Sequence, residues 1–232
     1  YDLAVVFGGD GSVLRAARVM GRNQLPILGV NTGKFGFLTE TTLEEAREVI
    51  EVVLAGNHRV SERMMLRCRL HRDGKCLVDS IAVNDSVLSR TAFSRLITVD
   101  LLVDGELVTT YRADGLIVSS PVGSTAHSLS AGGPILYPEV KAFVLAPICP
   151  HTLTNRPLVL PSQVNIEIGV KEFAEPPALT IDGQLNRRLE ASDRVEVEQA
   201  EECLKLIRTD RKSFFETLQN KLDWRGQPRY AR

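Results

Sequence analysis

The feature that most restricts how this 232-residue chain can fold is an apolar run that stops at a glycine turn. Leu3-Ala4-Val5-Val6-Phe7 carries no polar side chain, the pattern of a strand covered on both faces. Gly8-Gly9-Asp10-Gly11-Ser12 follows at once. Residues 13–20 then place apolar side chains at 13, 14, 16, 17 and 20, a helical spacing. A second apolar strand is predicted over 25–30, with Asn31-Thr32-Gly33-Lys34-Phe35-Gly36 as a loop. Thr42-Leu43-Glu44-Glu45 has the form of a capping box, Thr42 as N-cap and Glu45 at N3. Behind it Ala46, Val49, Ile50, Val53 and Leu54 make one helical face that ends at Gly56. Strand, helix, strand, helix predicts an α/β unit on a parallel sheet.

From about residue 62 the texture changes to strand-like runs and turns. Asp73-Gly74 and Asp104-Gly105 are hairpin signals, the second flanked by runs at 97–103 and 107–111. Runs at 81–88, 116–119, 164–170, 179–181 and 195–197 add strands, and only 125–131 invites a short helix. Helical spacing returns at 214–224, a segment expected to pack back on the N-terminal unit. The expected architecture is an α/β, Rossmann-like N-terminal domain over 1–62, rejoined by the C-terminal segment 208–232. A mainly β, sandwich-like domain is expected over 63–207.

Composition narrows the function classes. With 44% hydrophobic and 25% charged residues the chain has material for a core and is not a disordered chain. A formal charge of −1 argues against bulk nucleic-acid binding. No apolar stretch approaches the roughly 18 residues of a membrane helix. Cys68, Cys76, Cys149 and Cys203 form no CxxC, and the histidines form no HxxxH, so no dedicated metal site is expected. The cysteines read as buried free thiols of a reducing, cytoplasmic compartment. Cys149, flanked by Pro147 and Pro150, reads as packed rather than nucleophilic, and His151 as a hydrogen-bonded structural histidine.

The glycine turn is the first chemical signal. Ligands of open α/β sheets bind at the carboxyl ends of strands, and a helix N-terminus offers N–H groups to phosphate oxygens. Asp10 would repel phosphate there unless it meets a metal or takes a proton, which points to phosphoryl transfer onto a hydroxyl. Taken alone, the motif equally suits a plain strand-to-helix turn with Asp10 as N-cap. Asn84-Asp85 suits an ordinary turn, or the two hydroxyls of a ribose, each of which donates and accepts. Residues 112–134 form a strand, a Pro/Gly/Ser/Thr loop and a small-residue helix, with room for a flat ligand or simply a tight corner.

Read together, GGDGS at 8–12, NTGKFGF at 31–37, ND at 84–85, ADGLIVSSPVGSTAHSLSAGGP at 113–134, PICPHTLTNRPLVLP at 147–161 and DGQ at 182–184 resemble the NAD kinase family. GGDG alone is shared with diacylglycerol and sphingosine kinases and, more loosely, phosphofructokinases; the long central block is far more specific. The resemblance implies transfer of the γ-phosphoryl of ATP to the 2′-hydroxyl of the adenosine ribose of NAD, with Mg²⁺ accompanying the nucleotide. It implies a homodimer or homotetramer, small-molecule substrates only, and no membrane or nucleic-acid partner. By matching position, Asp10 is the catalytic carboxylate facing the 2′-hydroxyl, and Gly8, Gly9, Gly11 and Ser12 cradle phosphates. Phe37 flanks adenine or ribose, Asn84 and Asp85 hold ribose hydroxyls or the adenine edge, and Arg112 and Asp114 reach a neighbouring subunit's site. Thr125, Ala126 and His127 contact adenine and ribose, with Ser130 nearby, and Asp182 and Gln184 lie near the ligand.

Three positions depart from the family's commonest residues: Ser12 for Thr, Asp85 for Glu, and His127 for Tyr. The imidazole offers less stacking area than a phenol. The resemblance also implies a further βα unit upstream of Tyr1, so the chain is expected to be a piece or a trimmed form of a longer one. A lipid or sugar kinase sharing GGDG and a non-catalytic NAD or NADP binder are the competing functions.

Overall fold

The apolar run forms β1 (Ala4–Phe7) and the glycine turn leads straight into α1 (Asp10–Met20). The structure, a computed structural model, describes residues 1–33, 36–91, 95–152, 154–209, 211 and 213–224. Lys34 and Phe35 of the predicted 31–36 loop, and Leu153 of the 147–161 motif, lie outside them. The chain divides into two compact units. The first holds Tyr1–Ala16, Leu25–Ser61 and Lys205–Arg232; the second holds Ala17–Gln24 and Glu62–Leu204.

In the first unit β1 runs parallel to β2 (Ile27–Asn31), and β2 runs parallel to the short β3 (Thr41–Thr42). β2 is buried at every residue. The apolar stripe of α2 (Ala46–Leu54), with Ala46, Val49 and Val53, closes over Leu28 and Val30. β1 differs from the expectation. It is covered on one face only: side chains alternate between faces, and Val5 (36%) and Phe7 (54%) point to the exposed one. An apolar run alone does not say how many layers cover it. The capping box at 42–45 does not form either. Thr42 is committed to β3, α2 starts four residues later, and its N-cap Glu45 makes no side-chain cap bond.

The second unit is built from strands. β4 (Arg59–Arg72) and β5 (Lys75–Ala82) pair across the Asp73-Gly74 turn. β6 (Asp85–Ser89) follows, and then β7 (Ile97–Val103) and β8 (Glu106–Ala113) pair across Asp104-Gly105. In both turns aspartate and glycine take positive φ (49° and 75°, then 50° and 81°), as the sequence signal requires. β9 (Gly115–Ser119) leads through a 3₁₀ turn at Gly123–Thr125 into the one-turn α3 (His127–Ser130). β10 (Ala142–Ile148), β11 (Leu158–Pro161), β12 (Ile166–Glu172), β13 (Ala178–Ile181), β14 (Leu185–Arg188) and β15 (Arg194–Arg208) complete the strands. β11-β10-β9-β6-β13-β14 is one antiparallel sheet; β15-β12-β7-β8, with the β4–β5 hairpin on β15, supplies the other. Leu101, Val99 and Ile168 of one sheet meet Leu116, Phe143 and Leu179 of the other in the main core.

The predicted run at 81–88 is broken at Val83-Asn84. Their carbonyls turn away from the ladder to accept from the Ser120 hydroxyl (2.5 Å) and the Ser120 N–H (2.8 Å). Only one cysteine matches the buried-thiol reading. Cys68 is buried, Cys203 is intermediate, and Cys76 and Cys149 are exposed. Cys76 follows a hairpin turn on β5, and Cys149 leaves β10 at φ 44°, so neither is enclosed by sheet.

α4 (Phe214–Leu222) belongs to the first unit. A capping box that the sequence reading passed over starts it. The Ser213 hydroxyl accepts from the Glu216 N–H (3.1 Å), and the Ser213 N–H donates to the Glu216 carboxylate (2.8 Å).

Candidate functional site

In the first unit the glycine turn positions one carboxylate. Gly8 has φ 141°, a value suited to glycine, and a Cβ there would meet the Ser12 hydroxyl at 2.2 Å. Its N–H is already given to the Val30 carbonyl (2.9 Å), so Gly8 shapes the turn rather than offering a donor to phosphate. The Ser12 N–H is spent on the Gly9 carbonyl (2.9 Å). Gly9 and Gly11 are exposed, with open space where a side chain would stand.

Asp10 is the first residue of α1, and its carboxylate reaches across to another loop. Oδ2 accepts from the Phe37 N–H and Oδ1 from the Leu38 N–H, each at 2.9 Å. Two backbone donors, one on each oxygen, fix the direction of the carboxylate. Gly36 makes room for it, since a Cβ at 36 would lie 1.9 Å from Oδ1. The Phe37 ring packs on Phe214 (centroids 6.1 Å, 45°) while its N–H serves Asp10. Asp10 thus does more than the plain N-cap reading requires.

In the second unit Asn84 and Asp85 stand at the break between β5 and β6, and three features hold that turn. The Asp182 carboxylate accepts from the N–H groups of Val83 (2.8 Å), Asn84 (2.7 Å) and Asp85 (3.1 Å). Ser119 and Ser120 bond the carbonyls of Asn84 and Val83 from the other side. Gly123 lies so close that a Cβ there would meet the Asn84 carbonyl oxygen at 2.1 Å. Asp182 is itself in a tight turn at φ 50°, followed by Gly183 at 64°, between β13 and β14. Sequence reasoning left its role open. The structure gives it a positioning one, with Gln184 exposed on the same turn.

The small residues of the central block therefore divide in two. Ser119, Ser120, Ser124 and Ser128 are buried, and the first three are bonded within the loop. They build a tight corner rather than a ligand face. Thr125 and Ala126 are half-buried, and His127 and Ser130 are exposed. Arg112 is exposed on β8. Asp114 is ion-paired with Arg90 (Nε–Oδ1 2.5 Å), which raises the arginine's pKa.

Asp85 is 5% exposed, and burial with the nearby Asp182 pushes its pKa up to about 7. Burial raises Asp182 as well, against three N–H donors that favour its charge. Proton uptake by Asp85 is favoured in the folded state, so its stabilising contribution is full below about pH 4 and is lost as pH rises through about 7. Melting curves from pH 5 to 8 are expected to show stability falling with pH, by up to about 1.4 kcal/mol per unit from this group. The slope is expected to flatten in Asp85→Asn. Equal slopes in the two proteins would contradict the assignment.

Among the described residues no group of three or more His, Cys, Asp or Glu could hold a metal ion. No helix among them is long and apolar enough to cross a membrane.

Comparison with known proteins joins the two units. The ATP-NAD kinase N-terminal domain matches residues 1–58 and the ATP-NAD kinase C-terminal domain matches 83–209. An NAD kinase of Geotalea daltonii is 46% identical over 96% of this chain and 78% of its own length. An NAD kinase of Geobacter metallireducens is 45% identical over 96% of this chain and 79% of its own. A crystal structure of yeast NADH kinase complexed with NADH superposes with a TM-score of 0.91 at 31% identity, covering 100% of this chain and 69% of that one. An NAD kinase from Archaeoglobus fulgidus in complex with ATP gives 0.80 at 29% identity, covering 97% and 84%. With both family domains matched in order and relatives this similar over nearly its whole length, the chain belongs to the NAD kinase family.

Proposed function

We propose that this NAD kinase uses Asp10 to hold the 2′-hydroxyl of the adenosine ribose in line with the γ-phosphoryl of ATP. The observation that carries the reading is the pair of N–H donors on the Asp10 carboxylate. They fix one side of each oxygen and leave the remaining lone pairs for a substrate hydroxyl. A ribose hydroxyl is far less acidic than a carboxylic acid, so the proton moves late, as the new phosphorus–oxygen bond develops. Positioning and neutralisation of phosphate charge supply most of the rate.

Asn84 and Asp85 are assigned to the ribose or the adenine edge, with Thr125, Ala126 and His127 beside them. Asp182 acts behind Asn84 and Asp85 by fixing their N–H groups. Gly9, Gly11 and the Ser12 hydroxyl are assigned to the phosphates. The relatives' bound molecules, NADH and ATP, fit these assignments. Arg112, Ser130, Gln184 and the Asp114–Arg90 pair are assigned to the rim of the NAD site, Arg112 and Asp114 toward a neighbouring subunit of a homodimer or homotetramer. The free thiols favour a reducing compartment, the cytoplasm.

The donor chemistry suits a divalent cation carried by the nucleotide rather than one caged by protein, because Mg²⁺ is held largely by phosphate oxygens and water. The cation supplies charge neutralisation on the transferring phosphoryl group. NADP formation from NAD is therefore expected with Mg²⁺-ATP, to vanish with excess EDTA and to return with added Mg²⁺. Turnover that survives EDTA, or a phosphorylated lipid or sugar in place of NADP, would overturn the reading.

A further inference from the structure

We propose that Arg208 and Glu40 form a positioning pair that sets the Asp10 carboxylate through the backbone of the 37–40 loop. The proposal rests on the reading of Asp10 as the group that receives the hydroxyl proton. Neither residue belongs to a motif that the sequence offered, and 168 positions separate them.

Glu40 is buried, its side chain 2% exposed, and both its carboxylate oxygens are in use. Oε2 accepts from Arg208 Nη1 at 3.0 Å. Oε1 accepts from the Thr209 N–H at 2.6 Å and the Thr209 hydroxyl at 2.7 Å. The same guanidinium reaches the loop backbone: Nη2 donates to the Phe37 carbonyl at 3.0 Å and Nη1 to that of Thr39 at 3.5 Å. Phe37 is therefore held at both ends of its backbone. Its carbonyl is fixed by Arg208, and its N–H is one of the two donors on Asp10. The end of β15 thereby specifies where the 37–38 N–H groups stand, and those groups specify where the carboxylate points.

A buried ion pair is by itself weak support for stability, because desolvation offsets most of the attraction. Here the hydrogen bonds end on the carbonyls of the loop that carries the Asp10 donors. Arginine suits the task because its planar fork presents separate donors to Glu40 and Phe37 at once; a lysine ammonium cannot span both in fixed geometry. The contact of the Phe214 ring with Phe37 is a second tie from the C-terminal segment to the same loop.

Misplacement of a reacting group by about 1 Å costs on the order of 100-fold in rate. Arg208→Lys is expected to lower kcat by about 10- to 100-fold per folded molecule and to leave KM for NAD within about threefold. Glu40→Gln, close in shape, is measured beside it and is expected to act in the same direction, which covers the case of either variant folding poorly. The decisive experiment is a double-mutant cycle with Asp10→Asn. If Arg208 acts through Asp10, Arg208→Lys lowers kcat in the native background and adds little once Asp10 is neutral. A purely structural pair would lower the melting temperature and leave kcat per folded molecule unchanged, which would overturn the proposal. So would losses that multiply in the double variant. If Asp10→Asn alone keeps full turnover, the reading of Asp10 falls and the proposal falls with it; that single variant separates the two failures.

Discussion

Asp10→Asn is expected to lower kcat by about 10²- to 10⁴-fold, the range a positioned general base contributes, while the dissociation constant for NAD moves only a few-fold. Two things change together in this variant. The amide loses the charge that takes the proton as the phosphorus–oxygen bond forms. It also turns an NH₂ toward the Phe37 and Leu38 N–H groups, which in the native protein meet two acceptor oxygens. One loop donor is left unsatisfied, and the 36–38 backbone relaxes around it. The Asn84-Asp85 turn is held by its own partners, Asp182, Ser119 and Ser120. Calorimetric titration with NAD separates binding from turnover. Equal losses in affinity and kcat would make Asp10 a binding residue instead.

The second large effect is expected at Gly123. An alanine Cβ there would stand 2.1 Å from the Asn84 carbonyl oxygen and 2.6 Å from its carbon. Both are backbone atoms, and Asp182 holds that backbone from the other side. The overlap therefore cannot be relieved by a rotamer change. A cost of about 1–3 kcal/mol is expected from overpacking, seen as a lower urea midpoint at unchanged m-value. NAD affinity should fall as well, because relief requires the Asn84-Asp85 turn to move. Gly169→Ala on β12 is the matched control: nothing lies within 4 Å of the added carbon, and stability should be unchanged or slightly higher. Identical behaviour of the two variants would contradict the role given to Gly123.

Local signals in the sequence were read correctly where one short segment decided the structure. Asp73-Gly74 and Asp104-Gly105 form the hairpins their residue types require, because backbone conformation at two positions fixes such a turn. β7 runs from 97 to 103 as expected, since its alternation answers to a single covered face. The signals failed where a distant segment competed. Thr42 could cap a helix, but pairing with Asn31 of β2 takes its backbone first. The strand-like run over 81–88 breaks because Ser120, more than thirty positions on, claims the carbonyls at 83 and 84.

The candidate site shows the same division. Glycines, Asp10 and the small-residue block announce themselves by composition. What holds them is not legible in one sequence: Asp182 reads as a turn residue until its three N–H partners are seen. Glu40 and Arg208 are ordinary charged residues until they meet across the first unit. The small residues of 112–134 suit a flat ligand or a tight corner equally in the sequence; Ser119, Ser120 and Ser124 prove to be buried and bonded within the corner they build.

The most direct test of the assignment of Asp10 is a structure of this chain with NAD bound, measured from the carboxylate to the ribose. A carboxylate oxygen about 2.6–3.2 Å from the 2′-hydroxyl, with the Phe37 and Leu38 N–H bonds kept, is the expected result. A ribose seated with its 2′-oxygen on another side chain, or turned so that the 3′-oxygen faces Asp10, would contradict it.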